Sequence, residues 1–354
     1  MRPESKQKTK KIVIRSLVIF LTVIVLLAGT LYWAMWILVH GPSPYFRNKF
    51  INSVTETSAA GFLANLYLSQ DAIDAIVAQG KSELSKETTD TSLIQIPHKD
   101  KEDSVNGPGG TITTPGKNEN PDDPENDDGI EVIDIKGSTY NGKLILVSDP
   151  TRVFVGIPGP YGEGYSGLSV ANMVKKYDAV AGINAGGFYD PNGTGTGGIP
   201  EGIVIYEGEL KWGSPGSSYS IAGIDKNGIL HVGNMTGQKA LDIGVQYAAS
   251  FGPALVINGK PSASGTLGGG LNPRTAIGQR ADGTMMLLVI NGRSIDSLGA
   301  SLDDLAGIML SYGAVNATNL DGGSSSIMYM NGKPITSSAY VFGERVVATA
   351  ILVK

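Results

Sequence analysis

The chain has 354 residues, a formal net charge of −5 and no cysteine. Without cysteine, disulfides, zinc–thiolate sites and thiol nucleophiles are excluded, and the acidic balance gives no reason to expect a nucleic-acid partner. Glycine accounts for 48 residues, about twice its ordinary share. Because glycine supplies the positive φ angles of tight turns, this composition favours a β-rich fold with many turns.

A basic segment and then an uncharged segment open the chain. Residues 1–15 contain six lysines or arginines and a single acid, whereas residues 16–39, "SLVIFLTVIVLLAGTLYWAMWILV", contain no charge. The uncharged segment is long enough to cross a hydrocarbon core, and Tyr32, Trp33 and Trp36 resemble an interfacial aromatic belt. We predict an uncleaved signal-anchor in the cell membrane, with a cytoplasmic basic tail and the remaining chain outside the cell.

Two segments with different compositions follow the predicted anchor. Residues 40–80 predict short helices, including one over Gln70 to Gln79 that Ser69 can cap. Residues 81–129 are rich in proline, glycine, asparagine and acids, so they predict a disordered linker. The acidic run at 119–128 matches no EF-hand spacing, which favours a solvated linker over a calcium site.

Residues 130–354 predict one domain of the α+β class, β-rich, with mixed sheets and few helices. Helices are predicted near Ser169 to Tyr177 and from Ser301 to Gly313. The stretches "YDAVAGINAGG" and "YGAVNATNLDGG" share a frame in which a helix leads into a short buried strand. If this similarity is structural, Asn184 and Asn319 occupy equivalent strand ends, where open sheets tend to hold ligands.

The residue types available for chemistry in this domain are restricted. Its one histidine, His231, lies in the alternating strand "GILHVG". A Ser-His-Asp triad would have to use it, and a structural histidine is the favoured interpretation. Chemistry must therefore rest on carboxylates, backbone amides, hydroxyls and arginines.

The stretch "NLDGGSSS", residues 319–326, ends an apolar strand with a carboxylate and a flexible turn. Gly322 and Gly323 can bring backbone amides close to an anion, and Ser324 to Ser326 add hydroxyl donors. An ordinary Asp-Gly-Gly turn is the alternative interpretation.

Two further stretches have the composition of a binding site. The loop at 184–202, "NAGGFYDPNGTGTGGIPEG", offers Phe188 and Tyr189 to stack on a sugar, and Asp190 and Glu201 as candidate acids. A surface turn explains either acid equally well. In "NPRTAIGQR", Arg274 suits bidentate phosphate binding.

The motifs "INAGGFYD", "NPRTAIG", "NLDGGSSS" and "RVVATAILV", in this order, resemble the phosphodiester glycosidase family over residues 130–354. The resemblance implies hydrolysis of a sugar-1-phosphodiester. Ser324 and Tyr189 depart from the residues that are frequent in the family. The resemblance places these residues in the site: Asn184, Gly186, Phe188, Arg274, Thr275, Asp321, Gly322, Ser324 and Arg345.

These observations together predict a membrane-anchored extracellular hydrolase that cleaves an N-acetylglucosamine-like phosphodiester in cell-surface glycans or exopolysaccharide. Asp321 is the expected base or nucleophile, and the second carboxylate is left open among Asp190, Glu201 and Glu344. Asn319, Gly323 and Ser325 join the predicted substrate-binding set. No cofactor is predicted, and a divalent metal is left open. The alternatives are a non-catalytic surface module that binds phosphorylated glycans, and a peptidoglycan hydrolase acting on a cell-wall polymer.

Overall fold

The computed structural model describes residues 3–56, 61–79, 87–96, 129–263, 267–340 and 343–354. The chain divides into two compact units, Met1–Gln79 and Gly80–Lys354.

The first unit is helical. Its helices are α1 (Pro3–His40), α2 (Pro44–Thr55), α3 (Phe62–Asn65) and α4 (Gln70–Gln79). Within α1, the segment Lys11–His40 is long and apolar enough to cross a membrane, as the sequence predicted. The three shorter helices share a small core of Ile51, Ala64, Ile73 and Ile76.

The second unit contains most of the regular structure. Its helices are α5 (Val170–Tyr177), α6 (Gly237–Asp242) and α7 (Leu302–Ser311). Its strands are β1 (Ile130–Lys136), β2 (Asn141–Val147), β3 (Val153–Gly156), β4 (Ala181–Asn184), β5 (Val204–Tyr206), β6 (Glu209–Trp212), β7 (Ser218–Asp225), β8 (Leu230–Thr236), β9 (Val245–Ser250), β10 (Ala254–Ile257), β11 (Lys260–Pro261), β12 (Arg274–Arg280), β13 (Met285–Ile290), β14 (Ala314–Leu320), β15 (Met328–Met330), β16 (Lys333–Pro334) and β17 (Ala350–Val353).

These strands form three sheets. The orders are β1-β2-β13-β12-β14-β10-β11, then β16-β15-β4-β17-β3, and β6-β5-β9-β7-β8. The α+β class is confirmed, and the strand pairs within the described ranges are antiparallel rather than mixed. Tight turns explain this arrangement: Asn331 and Gly332 both take positive φ, which lets β15 fold straight back into β16.

The three sheets share one core. Ile277 and Leu320 of the seven-stranded sheet pack in the same cluster as Ile183 and Ile351 of the second sheet and Ile224 of the third. The other face of the seven-stranded sheet is covered by α7, whose start carries the predicted capping box between Ser301 and Asp304. Helix α5 covers the second sheet, and its N-cap is Ser169.

Part of the predicted linker differs from its expected structureless form. Residues 87–96, here called the strap, hydrogen-bond to the domain: Gln95 N donates to Ala281 O at 2.7 Å and Val232 N donates to Thr89 Oγ1 at 3.0 Å. Ile94 is buried at 7% exposure. Composition missed this segment because a few apolar and β-forming residues lie within a polar region. The remaining predicted linker residues up to 128, namely 81–86 and 97–128, lie outside the described residues.

Candidate active site

Asn184, at the end of β4, joins the strand ends that form the site. Its side chain is fully buried, and Nδ2 donates to Asp321 O at 2.6 Å. Its Oδ1 accepts hydrogen bonds from Thr275 Oγ1 at 2.8 Å and from Ile327 N at 3.2 Å. Asp321 N also donates to Ala185 O at 2.8 Å. Asn184 and Thr275 therefore fix the position of the Asp321 turn, and neither side chain is presented to solvent.

Asn319 lies close by in sequence but has a different role. The internal similarity paired it with Asn184, whereas the structure places the two residues in different sheets. Asn319 is buried, and its Nδ2 donates to Gly252 O at 2.7 Å. It supports the turn that leads into β10.

Asp321 follows directly after β14, and its carboxyl group is held among protein atoms while the residue keeps partial exposure. Burial raises the pKa of Asp321 to about 7, although Ser325, Arg345 and the Gly322 N–H all favour the charged form. The negative charge of Asp190 adds to the increase in this pKa. Near neutral pH, the carboxyl group is therefore present in both protonation states.

Arg345 and Asp190 form a two-pronged ion pair beside Asp321. Arg345 NH1 lies 2.6 Å from Asp190 Oδ2, and NH2 lies 2.8 Å from Oδ1. NH1 also donates to Ser324 Oγ at 3.3 Å. The guanidinium lies over the Phe188 ring, 5.1 Å from its centroid. Asp190, expected as a candidate acid, thus holds Arg345 in place, and the buried Phe188 supports that cation.

Tyr189 and Glu201 are both exposed in the same loop. Tyr189 is 59% exposed. A Cβ placed at Gly187 would lie 3.1 Å from Glu201 Oε2, so this carboxylate lies against the loop backbone. Burial and the charge of Asp190 raise the pKa of Glu201.

Glu344 has a structural role, in contrast to Glu201. Its Oε1 accepts a hydrogen bond from Ala171 N at 3.1 Å, in the first turn of α5. Its Oε2 accepts a hydrogen bond from Tyr329 Oη at 2.9 Å. Of the three candidates for the second carboxylate, Glu201 is the exposed one.

The glycines permit close packing instead of the expected amide cradle. Gly322 N–H points to the Asp321 carboxylate, and Gly323 N donates to Pro273 O at 2.9 Å. A Cβ at Gly322 would lie 2.9 Å from Pro273 O. Gly186 behaves in the same way: its N–H donates to Thr349 Oγ1 at 2.8 Å. These amides are already used within the protein, so the glycines allow neighbouring groups to approach the turn.

Arg274 also differs from its expected role. It is buried at 7% exposure, and its Nε and NH2 donate to Ala300 O at 3.1 Å and Gly270 O at 2.9 Å. Its side chain holds two loop backbones together beside the Asp321 turn.

Sequence reasoning missed Arg293 and Tyr340. Arg293 has a left-handed φ of 58° and lies beside Gly323, and Tyr340 contacts the Arg345 guanidinium at 5.7 Å. For Arg293 a signal was present in "INGRS", where a cation follows an Asn-Gly pair at a strand end. For Tyr340 no local pattern indicated a role.

His231 lies in the β7–β8 hairpin, where its Nε2 is 3.1 Å from Asp225 Oδ2. Both side chains are buried, which agrees with a structural histidine. Among the described residues, no group of three or more histidine, aspartate or glutamate side chains is arranged to hold a metal ion.

The domain is thus an antiparallel α+β domain with a carboxylate beside arginines at joined strand ends. Residues 177–354 match the model of the phosphodiester glycosidase family, which is half of the chain, and the chain belongs to this family. The resemblance inferred from the motifs is confirmed.

Individual proteins are also similar to this chain, in sequence or in fold. The SPbeta prophage-derived uncharacterized protein YomE of Bacillus subtilis is 33% identical over 181 residues, 48% of this chain. This chain spans only 27% of that relative's length. The catalytic domain of zebrafish N-acetylglucosamine-1-phosphodiester alpha-N-acetylglucosaminidase, auto-inhibited by its pro-peptide, has a TM-score of 0.52 and 24% identity, covering 63% of this chain and 81% of that one. This similarity supports the fold.

A more distant structure has also been solved. A putative exported protein of Burkholderia pseudomallei has a TM-score of 0.45 and 18% identity, covering 60% of this chain and 74% of that one.

Proposed function

We propose that the protein hydrolyses the bond between the anomeric carbon of a sugar and a phosphodiester, outside the cell, in a cell-surface glycan or exopolysaccharide. The observation that carries the proposal is the position of Asp321. Its carboxyl group lies at a fixed strand end, near Arg345 and Ser325, with a pKa near neutrality. Family membership supports the glycosidase class.

The chemistry of the substrate fits these side chains. When the anomeric carbon–oxygen bond breaks, the leaving group is a phosphate monoester, which needs little protonation and is stabilised by positive charge. Ionised Asp321 acts on the anomeric carbon, either as the nucleophile or by taking a proton from the attacking water. Glu201 is the second carboxylate in this proposal. It is exposed in the loop at 184–202, which also contains Asp190, and its pKa is raised.

Recognition of the sugar is assigned to the exposed loop. Tyr189 is 59% exposed and directly precedes Asp190, the partner of Arg345, and an aromatic ring can pack against the apolar face of a sugar. An N-acetylglucosamine-like sugar is proposed because the zebrafish relative is named for a phosphodiester of that sugar.

We also propose that the protein is attached to a membrane through its N-terminal helix. The apolar segment Lys11–His40 supports a single-pass anchor. The basic residues that precede position 16 support a cytoplasmic N-terminus and an extracellular domain. The expected partners are therefore a phosphorylated glycan and the membrane.

The test compares the wild-type chain in detergent with Asp321→Asn and Asp282→Asn. Asp282 is the matched control because it lies in the turn after β12, at the far end of that strand from Arg274, and asparagine keeps the oxygen that accepts from Thr284 N. The substrate is a methyl phosphodiester of N-acetylglucosamine-1-phosphate, and the measurement is release of reducing sugar. Asp321→Asn is expected to lower turnover at least about 100-fold, with Asp282→Asn near wild type.

Three outcomes would contradict the proposal. Near-normal turnover by a folded Asp321→Asn protein removes the catalytic role of Asp321. Binding of the phosphodiester without turnover by the wild type indicates a non-catalytic glycan-binding module. Release of soluble fragments from purified peptidoglycan, with no release from the phosphodiester, indicates a wall hydrolase.

A further inference from the structure

Arg293 lies in the segment between β13 and α7, in a backbone conformation that arginine rarely adopts. Its φ is 58°, in the left-handed region. Asn291, two residues earlier, is fixed on two sides: its N donates to Asn141 O at 2.9 Å, and its Oδ1 accepts from Ser337 N at 2.8 Å. Such a conformation persists when the surroundings determine it. The Arg293 side chain therefore extends from a backbone segment that its neighbours hold in place.

The Arg293 guanidinium lies beside the glycine turn that follows Asp321. A Cβ at Gly323 would lie 3.3 Å from Arg293 NH2, and Gly323 itself has a φ of 61°. A Cβ at Gly322 would lie 3.9 Å from Arg274 Cδ. The two glycines thus leave room for two arginine side chains, one beside each glycine.

The two cations affect each other. Partial loss of hydration and the positive charge of Arg274 both lower the pKa of the Arg293 guanidinium. Like charges repel each other, and an anion bound to Arg293 would offset this repulsion. An anion that approaches the Asp321 turn from the Gly323 side therefore meets the exposed Arg293 guanidinium and is also attracted by the buried charge of Arg274.

The three arginines of the site differ in exposure: Arg345 and Arg274 are each 7% exposed, whereas Arg293 is exposed. Arg345 binds Asp190 with two prongs, and the buried Arg274 binds the carbonyls of Ala300 and Gly270. Arg293 NH2 lies 3.5 Å from Asn272 Oδ1. Because Arg293 is exposed, an anion from solvent can reach it.

We propose that Arg293 binds the phosphate group of the substrate from the Gly323 side, and that Arg274 is a positioning residue that holds the surrounding loops. This inference rests on the proposed function, since it assigns the phosphate of that substrate to a particular guanidinium. The planar two-donor fork of arginine matches two non-bridging phosphate oxygens. Arg293 would then stabilise the charge that the leaving phosphate gains.

The test uses Arg293→Asn, Arg293→Lys and the control Arg280→Asn in the full chain. Asparagine tolerates a left-handed φ, so Arg293→Asn removes the cation at low cost to the fold. Arg280 lies at the opposite end of β12 from Arg274, where its Nε donates to Tyr312 O at 2.7 Å. The readouts are kcat/KM on the methyl phosphodiester and the affinity for inorganic phosphate by calorimetric titration.

Arg293→Asn is expected to lower both quantities roughly tenfold or more, as for loss of a charge-assisted hydrogen bond. Arg293→Lys should give an intermediate loss, and Arg280→Asn should resemble the wild type. Normal turnover and normal phosphate affinity in Arg293→Asn would overturn the inference while the proposed function stands. An equal loss in Arg280→Asn would also overturn it, because the effect would then be general charge.

The two proposals can fail separately. If the wild type hydrolyses no phosphodiester but binds phosphate, and Arg293→Asn weakens that binding, the proposed function is wrong and the phosphate site at Arg293 stands.

Discussion

Asp321 lies close to an arginine and still has a raised pKa, which needs a physical explanation. A neighbouring guanidinium ordinarily favours the ionised carboxylate. Here Arg345 gives its two shortest hydrogen bonds to Asp190, at 2.6 and 2.8 Å. The negative charge of Asp190 therefore offsets much of the pKa-lowering effect of Arg345 on Asp321. The loss of hydration is the largest effect, and it raises the pKa. The ion pair keeps Asp321 near the midpoint of its titration at neutral pH.

The first prediction concerns the pH dependence of turnover. If Asp321 acts in its ionised form, kcat/KM should rise with pH through about 7, because the carboxyl loses its proton there. The rise in kcat should lie at higher pH, since bound phosphodiester adds a second negative charge near Asp321. The measurement is the pH–rate profile of the wild type. An ascending limb that persists unchanged in the residual activity of Asp321→Asn would mean that another group causes it.

The second prediction tests the influence of the ion pair on Asp321. Asp190→Asn removes a negative charge that raises the pKa of Asp321 and leaves the Arg345 charge less opposed. Both changes favour the ionised carboxylate, so the ascending limb of kcat/KM should move to lower pH. Maximal turnover should also fall, because Arg345 loses its two-pronged support. A limb that moves to higher pH would contradict this account.

The third prediction concerns stability. The folded-state pKa of Asp321, about 7, lies above the ordinary aspartate value of 3.8, so folding favours the neutral form. The stabilisation of the fold by the protonated Asp321 carboxyl is complete below pH 3.8 and is lost as pH rises to about 7. At pH 8, Asp321→Asn should therefore be more stable than the wild type by roughly 2 kcal/mol in the free energy of unfolding, a value reduced to allow for the partial exposure of Asp321. This corresponds to a Tm about 5 °C higher.

The control for this prediction is the same comparison at acid pH. At pH 4 the difference in Tm between Asp321→Asn and the wild type should become small, since the wild-type carboxyl is then neutral in the folded state. Thermal unfolding by circular dichroism measures both. A lower Tm for Asp321→Asn at pH 8 would show that the carboxylate stabilises the fold.

At the scale of elements, strands and helices followed from local patterns. The capping box at Ser301 and the Asn-Gly turn at Asn331 act within a few residues, so the sequence alone indicated α7 and the β15–β16 hairpin. Contacts between distant residues could not be predicted in this way. Arg345 and Asp190 are separated by 155 positions, and the pairing of β17 with β4 helps to bring their segments together. The roles of Gly322 and Arg274 likewise depend on packing across β12.

The strap gives a prediction at the same scale. A chain that begins at residue 130 lacks the buried Ile94 and the hydrogen bonds from Val232 N and Gln95 N. We expect it to fold cooperatively but to unfold about 10 °C below a chain that begins at residue 87, from roughly 3 kcal/mol of lost burial and hydrogen bonding. In the longer chain, Ile94→Ala should lower the Tm, whereas the control Leu93→Ala, at a side chain 41% exposed, should not. Equal Tm values for the two chains would show that the strap contributes nothing.

At the scale of the whole molecule, the two compact units combine very different surfaces. The first contains a helix whose apolar residues are exposed along most of Lys11–His40, and the second buries its apolar residues in cores shared between sheets and helices. A surface of that kind on a helix is stable in lipid and unfavourable in water. The first unit is therefore suited to attach the second to a membrane.

The last prediction tests that arrangement. With the basic residues of 1–15 retained in the cytoplasm, the domain that contains Asp321 should face the outside. Protease added to intact cells that express the full chain should cut between residues 81 and 129 and release a soluble fragment containing residues 130–354. A tag fused at the N-terminus should stay protected in the same cells and become accessible only after lysis, because the membrane shields it. Protection of the domain together with cleavage of the tag would reverse the orientation. Release of the intact chain by salt or carbonate, without protease, would show that the apolar helix does not span the membrane.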